Sequence, residues 1–209
     1  MALNKKHYIL LSIFFFILGI ANVLASLLGE YYFGILWFCS LTVWLFTLGL
    51  YLRNNFLLST ILTASFFLEL LWTIDVISYL TLGRLTIGIA EYLFTISPAR
   101  FIITFYHLFL FIVPILIVFD QKKFHKFSWA GASAFLLIVL IITLLLTKAN
   151  INCVRSTCEL GVFDFFNNLI SNLSSFIPLF LVHWLLATII VFIPTHYLFK
   201  YMVKWISKE

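Results

Sequence analysis

The sequence predicts an all-α membrane protein, a six-transmembrane-helix bundle with both termini in the cytoplasm. Three observations predict it. Hydrophobic residues make up 64% of the 209 and charged residues only 10%, whereas soluble domains carry roughly 25% charge, so water cannot be the solvent for most of this surface. Apolar runs of about 20 residues, enough to cross about 30 Å of hydrocarbon, recur with short polar interruptions and leave no room for a separate soluble domain. Lys and Arg then fall mainly on one side of those runs, as the positive-inside rule requires.

The first expected crossing is 8–28, preceded by Lys5 and Lys6. A cleaved signal peptide is the competing reading of this segment, since Val23, Leu24 and Ala25 before Ser26 form a small-residue pattern after an apolar centre. The second crossing is expected at 31–52 and ends at a polar turn, Arg53, Asn54 and Asn55. The third covers 56–80. A more polar outer loop, 81–100, follows, with Gly83, Arg84, Gly88, Glu91 and Pro98; it is too interrupted to cross, and residues 87–94 suit a short interfacial turn. The fourth crossing, 101–119, contains Pro114 as an expected bend, and a compact charged loop, 120–126, leads to the fifth at 128–147. The second outer loop, 148–175, is the longest polar connection and holds a short surface helix near 163–173. The last crossing is expected at 176–199, with Pro178 at its start and Pro194 as a late bend.

This arrangement puts Lys5, Lys6, Arg53, Lys122, Lys123, Lys126, Lys200, Lys204 and Lys208 inside and Arg84, Arg100, Lys148 and Arg155 outside. The basic residues therefore read as anchors against anionic headgroups and exclude a nucleic-acid partner. Membrane lipids are the expected neighbours, with an oligomer or a partner subunit compatible with the same surface. Localisation to a bacterial inner membrane or plasma membrane follows. Cys153 and Cys158 share the outer loop, where an oxidising compartment suits a disulfide; Cys39, within the second crossing, reads as a small apolar filler.

Ionisable groups inside apolar helices need a reason, because a charge near the bilayer centre costs at least about 2.5 kcal/mol. Glu69 and Asp75 lie on the third crossing, His107 on the fourth and His183 on the sixth, with Asn22 near the outer end of the first. At about 1.5 Å per residue, Asn22, Asp75, His107 and His183 fall about 8 to 11 Å below the outer interface, and Glu69 lies deeper. Trp72 stands between the two carboxylates on the same helical stripe. Asp75, His107 and His183 offer oxygen and nitrogen ligands suited to zinc or another transition metal. The same groups suit acid–base chemistry on a lipid headgroup, or proton relay. Against these stands simple helix packing, with Asp75 bonded to a neutral imidazole and Glu69 neutral.

Four stretches, LLWTID (Leu70 to Asp75), EYLF (Glu91 to Phe94), FYHLFLFIVP (Phe105 to Pro114) and NINC (Asn150 to Cys153), resemble a family of uncharacterised polytopic bacterial membrane proteins. The resemblance implies a helical membrane protein and directs attention to Asp75, His107 and Asn152, but it implies no activity. The Cys153 and Cys158 pair is not part of that pattern. The leading expectation is a protein that binds or transports a small or lipid-like ligand through an outer-leaflet polar pocket, with Asp75, His107, His183, Glu69, Trp72 and Asn22 as ligand or proton-relay candidates. A lipid-modifying intramembrane enzyme and a structural subunit of a membrane complex are the alternatives.

Overall fold

The computed structural model describes residues 3–28, 32–94, 96, 98–155 and 164–208, and among them it is helical without strands. Apolar side chains and sparse breakers produce long helices: α1 (Lys5–Leu28), α2 (Phe38–Leu52), α3 (Asn55–Leu82), α4 (Pro98–Thr104), α5 (Tyr106–Gln121), α6 (Ser128–Leu146), α7 (Asp164–Ser174), α8 (Leu179–Leu186) and α9 (Ile193–Ile206). Among the described residues five spans, Lys5–Leu28, Asn55–Leu82, Phe101–Gln121, Ser128–Leu146 and Leu179–Ile206, are long and apolar enough to cross a membrane. The sixth apolar helix, α2, has 15 residues and measures about 22 Å.

The second expected crossing divides into a 3-10 turn, Tyr32–Leu36, and α2. Asn152, held at φ 54°, supplies the reason. Its Oδ1 accepts the Phe38 amide (3.0 Å) while its Nδ2 donates to the Leu36 carbonyl (2.9 Å) and to Thr143 Oγ1 (3.1 Å). A distant side chain thus satisfies the backbone groups that the break frees, which an apolar setting demands.

Other helix ends follow local chemistry. Arg53 adopts the left-handed conformation that reverses the chain, and Asn54 caps α3 by accepting from the Leu57 amide. Gly83, at φ 68°, ends α3 where a side chain would be strained. The fourth crossing is interrupted at Phe105, between α4 and α5, and α5 then runs on through Pro114. In the last span a π-helical stretch, Ala187–Phe192, precedes Pro194. There Ile193 N–H donates to the Thr188 carbonyl, a wider turn that accommodates a proline unable to donate.

Hydrogen bonds gather both ends of the described chain at one end of the bundle. Leu3 N–H donates to Asp120 (2.9 Å), Gln121 to the Tyr8 hydroxyl (2.9 Å), Lys122 Nζ to the Ile206 carbonyl (3.3 Å), and His125 N–H to Ser59 Oγ (3.0 Å). We call this the basal end. The helix α3 is the axis: 61% of its apolar window is buried, against 28 to 39% for the other long spans. Burial is inverted relative to a water-soluble protein, with Ser59, Thr63, Glu69 and Asp75 enclosed while Ile17, Leu116 and Ile138 are more than half exposed. That inversion suits hydrocarbon outside and hydrogen bonding inside.

Cys158 lies outside the described residues, as does the expected Cys153–Cys158 disulfide.

Candidate functional site in the upper half of the bundle

Counting from the basal end brings residues of four helices to one level. Asn22 lies fourteen residues beyond Tyr8, Cys39 thirteen before Leu52, Glu69 fourteen beyond Asn55 and His107 fourteen before Gln121. Each is therefore about 20 Å from the basal end. The turn at Arg53 and Asn54 makes α2 and α3 an antiparallel hairpin, so Cys39 and Glu69, nearly equidistant from it, stand opposite each other.

At this level His107 Nδ1 and Glu69 Oε2 lie 2.6 Å apart, with Glu69 1% exposed. The contact is a hydrogen bond in which the imidazole or the carboxyl is the donor according to the tautomer. The second carboxyl oxygen, Oε1, is buried without a hydrogen-bond partner, a condition that costs about 1–3 kcal/mol. Cys39 completes the cluster: its Sγ, a Glu69 oxygen and a His107 ring nitrogen all lie within 4.8 Å of one another.

Aromatic rings hold the imidazole. His107 stacks against Trp72 at 4.8 Å and against Tyr106 at 4.3 Å, both within 26° of parallel. The Trp72 indole N–H donates to the Tyr92 hydroxyl (3.0 Å), and Trp37 packs on Tyr92 from outside. Tyr92 stands on the 3-10 turn Glu91–Phe94, so the loop after α3 roofs the cluster.

Asp75 has a different task. Its carboxylate is fully buried and accepts from the amides of Thr86 (3.1 Å), Ile87 (2.6 Å) and Ala90 (3.1 Å). These bonds fold the loop back onto α3 and bring Tyr92 over Trp72. Asp75 is thereby a positioning residue for the roof, with both oxygens occupied.

The expected grouping of Asp75, His107 and His183 around a metal is not assembled. His107 is joined to Glu69 instead, and among the described residues the ligand atoms within reach of it come from Cys39 and Glu69. The physical reason is the length of α3, whose 28 residues carry Asp75 about 9 Å beyond Glu69 along the axis. His183, on α8, has a buried Nδ1 without a hydrogen-bond partner. Asn22 faces α2, where its Nδ2 donates to Ser40 Oγ (2.8 Å) and Ser40 donates to the Gly34 carbonyl (2.9 Å).

Cys39 is the residue that composition concealed, because a single cysteine in an apolar helix looks like filler. Its signal was the hairpin register about Arg53 and Asn54. A second polar chain, Thr63 Oγ1 to Ser128 Oγ (2.9 Å) and Ser128 Oγ to His196 Nδ1 (2.7 Å), ties α3, α6 and α9 nearer the basal end. Its members are linked to one another, and none has a spare oxygen comparable with Glu69 Oε1.

No family model, curated protein or solved structure matches this chain. The functional reading therefore rests on the cluster's own geometry.

Proposed function

We propose that this chain crosses a bacterial inner membrane or plasma membrane six times, with its basal end in the cytoplasm, and that Glu69 and His107 form a proton-exchanging site for a small or lipid-like ligand. The observation that carries the reading is a carboxyl–imidazole pair at 2.6 Å, deep in an apolar bundle, with one carboxyl oxygen left unpartnered. A pair that served packing alone would gain by satisfying both oxygens, since an unpaired polar atom is costliest where water is absent. A bound polar group meets Oε1, and the shared proton compensates a change of charge on the ligand.

Two features support the six-crossing orientation. The short α2 still passes from the Asn152 clamp at one end to the Arg53 turn at the other, and the 3-10 turn before it adds to the passage. Lys122 lies at the basal end with the two chain ends, alongside most of the basic residues.

Native mass spectrometry of the protein extracted in mild detergent tests the site. The wild-type chain is expected to carry a small molecule or ion that Glu69→Gln and His107→Gln lose, while both variants stay monodisperse. If the wild-type protein carries no such adduct, or if both variants keep it, the ligand-site reading fails.

A further inference from the structure

We infer that Cys39, Glu69 and His107 bind a divalent transition-metal ion of zinc's class, taken up in exchange for two protons. The inference rests on the reading of the Glu69–His107 pair as a ligand site and names the ligand.

The donor set carries the argument. A thiolate sulfur, a carboxylate oxygen and an imidazole nitrogen are the ligand types that zinc and its neighbours accept, and three protein ligands with a vacant fourth position are typical of sites that exchange water or cargo. The three atoms already lie within 4.8 Å of one another. Ligands at about 2.0–2.3 Å in a tetrahedron stand about 3.3–3.6 Å apart, so the Glu69–His107 pair opens from 2.6 Å while the cluster as a whole, already within 4.8 Å, draws in around the ion. Trp72 and Tyr106 flank the imidazole along its faces, which leaves its nitrogens free to shift in the ring plane. The unpartnered Glu69 Oε1 is an independent sign that the arrangement lacks a component.

Bonding and charge on uptake balance with a divalent ion. Metal ligands bind in their deprotonated forms, so the Cys39 S–H proton and the proton of the Glu69–His107 hydrogen bond leave while metal–sulfur, metal–oxygen and metal–nitrogen bonds form, with no change of oxidation state. A thiolate, a carboxylate and a neutral imidazole around a doubly charged ion sum to zero, so the loaded site leaves no net charge in a medium where it is costly. Tyr92 and Tyr106 are the other titratable groups near the cluster; phenols keep their protons near neutral pH. Asn22 and Ser40, bonded to each other between α1 and α2, carry no charge.

Cobalt(II) chloride added to the full-length, chelator-treated protein in detergent gives a direct test, because cobalt bound to sulfur shows a thiolate charge-transfer absorption. The wild-type protein is expected to show that band at one ion per chain, to release two protons per ion into an indicator solution, and to gain about 100-fold in apparent affinity per pH unit. Cys39→Ser should abolish the band and lower affinity at least about tenfold, with Cys39→Ala serving if the serine variant fails to fold. A band that persists without Cys39 would overturn the inference, as would its absence from the wild-type protein. If cobalt gives no band while another adduct still disappears in Glu69→Gln, the metal inference fails and the ligand-site reading stands. If neither appears, both fail.

Discussion

Asp75 accepts three backbone hydrogen bonds, whereas Glu69 shares one proton with His107 and keeps an oxygen spare. Their substitutions should therefore separate stability from binding. Asp75→Ala strands the amides of Thr86, Ile87 and Ala90 in a largely buried setting, and at about 1–3 kcal/mol for an unmade bond, relieved in part by water, the expected loss is about 2–4 kcal/mol. Hydrogen exchange should show residues 86, 87 and 90 losing protection; unchanged protection there would mean that the carboxylate does not hold the loop. Glu69→Gln keeps the size and one oxygen of the side chain, so its thermal unfolding in detergent should change little while ligand retention is lost.

At the scale of elements, α1 and α2 meet through a glycine. A Cβ on Gly19 would stand 3.0 Å from the Trp44 indole, a rigid ring that cannot fold away. Gly19→Leu should force the two helices apart at a cost of about 1–3 kcal/mol. A lower midpoint of thermal unfolding checks this, and a variant as stable as the parent would show that the ring moves freely. Asn152 acts on α2 from the other side of the bundle, and Asn152→Ala removes all three of its bonds. Because Cys39 is the second residue of α2, that variant should weaken cobalt binding without touching a ligand, whereas Ser207→Ala at the basal end should not.

At the scale of the whole bundle, the described chain ends meet at the basal end and the Glu69–His107 pair stands about 20 Å from it. Single cysteines placed at Lys123 and at Lys148, in a background with the native cysteines replaced, should react with a membrane-impermeant maleimide from opposite sides of sealed vesicles. Reaction of both from the same side would show that α6 does not cross; the same assay with cysteines at Leu28 and Arg53, which flank α2, should again label from opposite sides, and labelling of that pair from one side would refute six crossings and leave five.

Much of this was legible in the residues themselves. Helical class and the positions of Glu69 and His107 within apolar runs follow from composition and from about 1.5 Å per residue, which are local properties of the chain. The turn at Arg53 and Asn54 and the helix start after Pro178 follow from equally local chemistry. Partnership is not local. Asp75 and Glu69 look alike as acidic residues on one apolar helix, and only the return of residues 86–90 onto α3 makes one a fastening and the other half of a proton pair. Cys39 acquired meaning only when the hairpin register set it opposite Glu69, and the break ahead of α2 needed a side chain 114 residues away. The sequence by itself determined which groups are costly in hydrocarbon; the tertiary structure decided which of them satisfy one another, because a hydrogen bond depends on distances between helices that no single helix encodes.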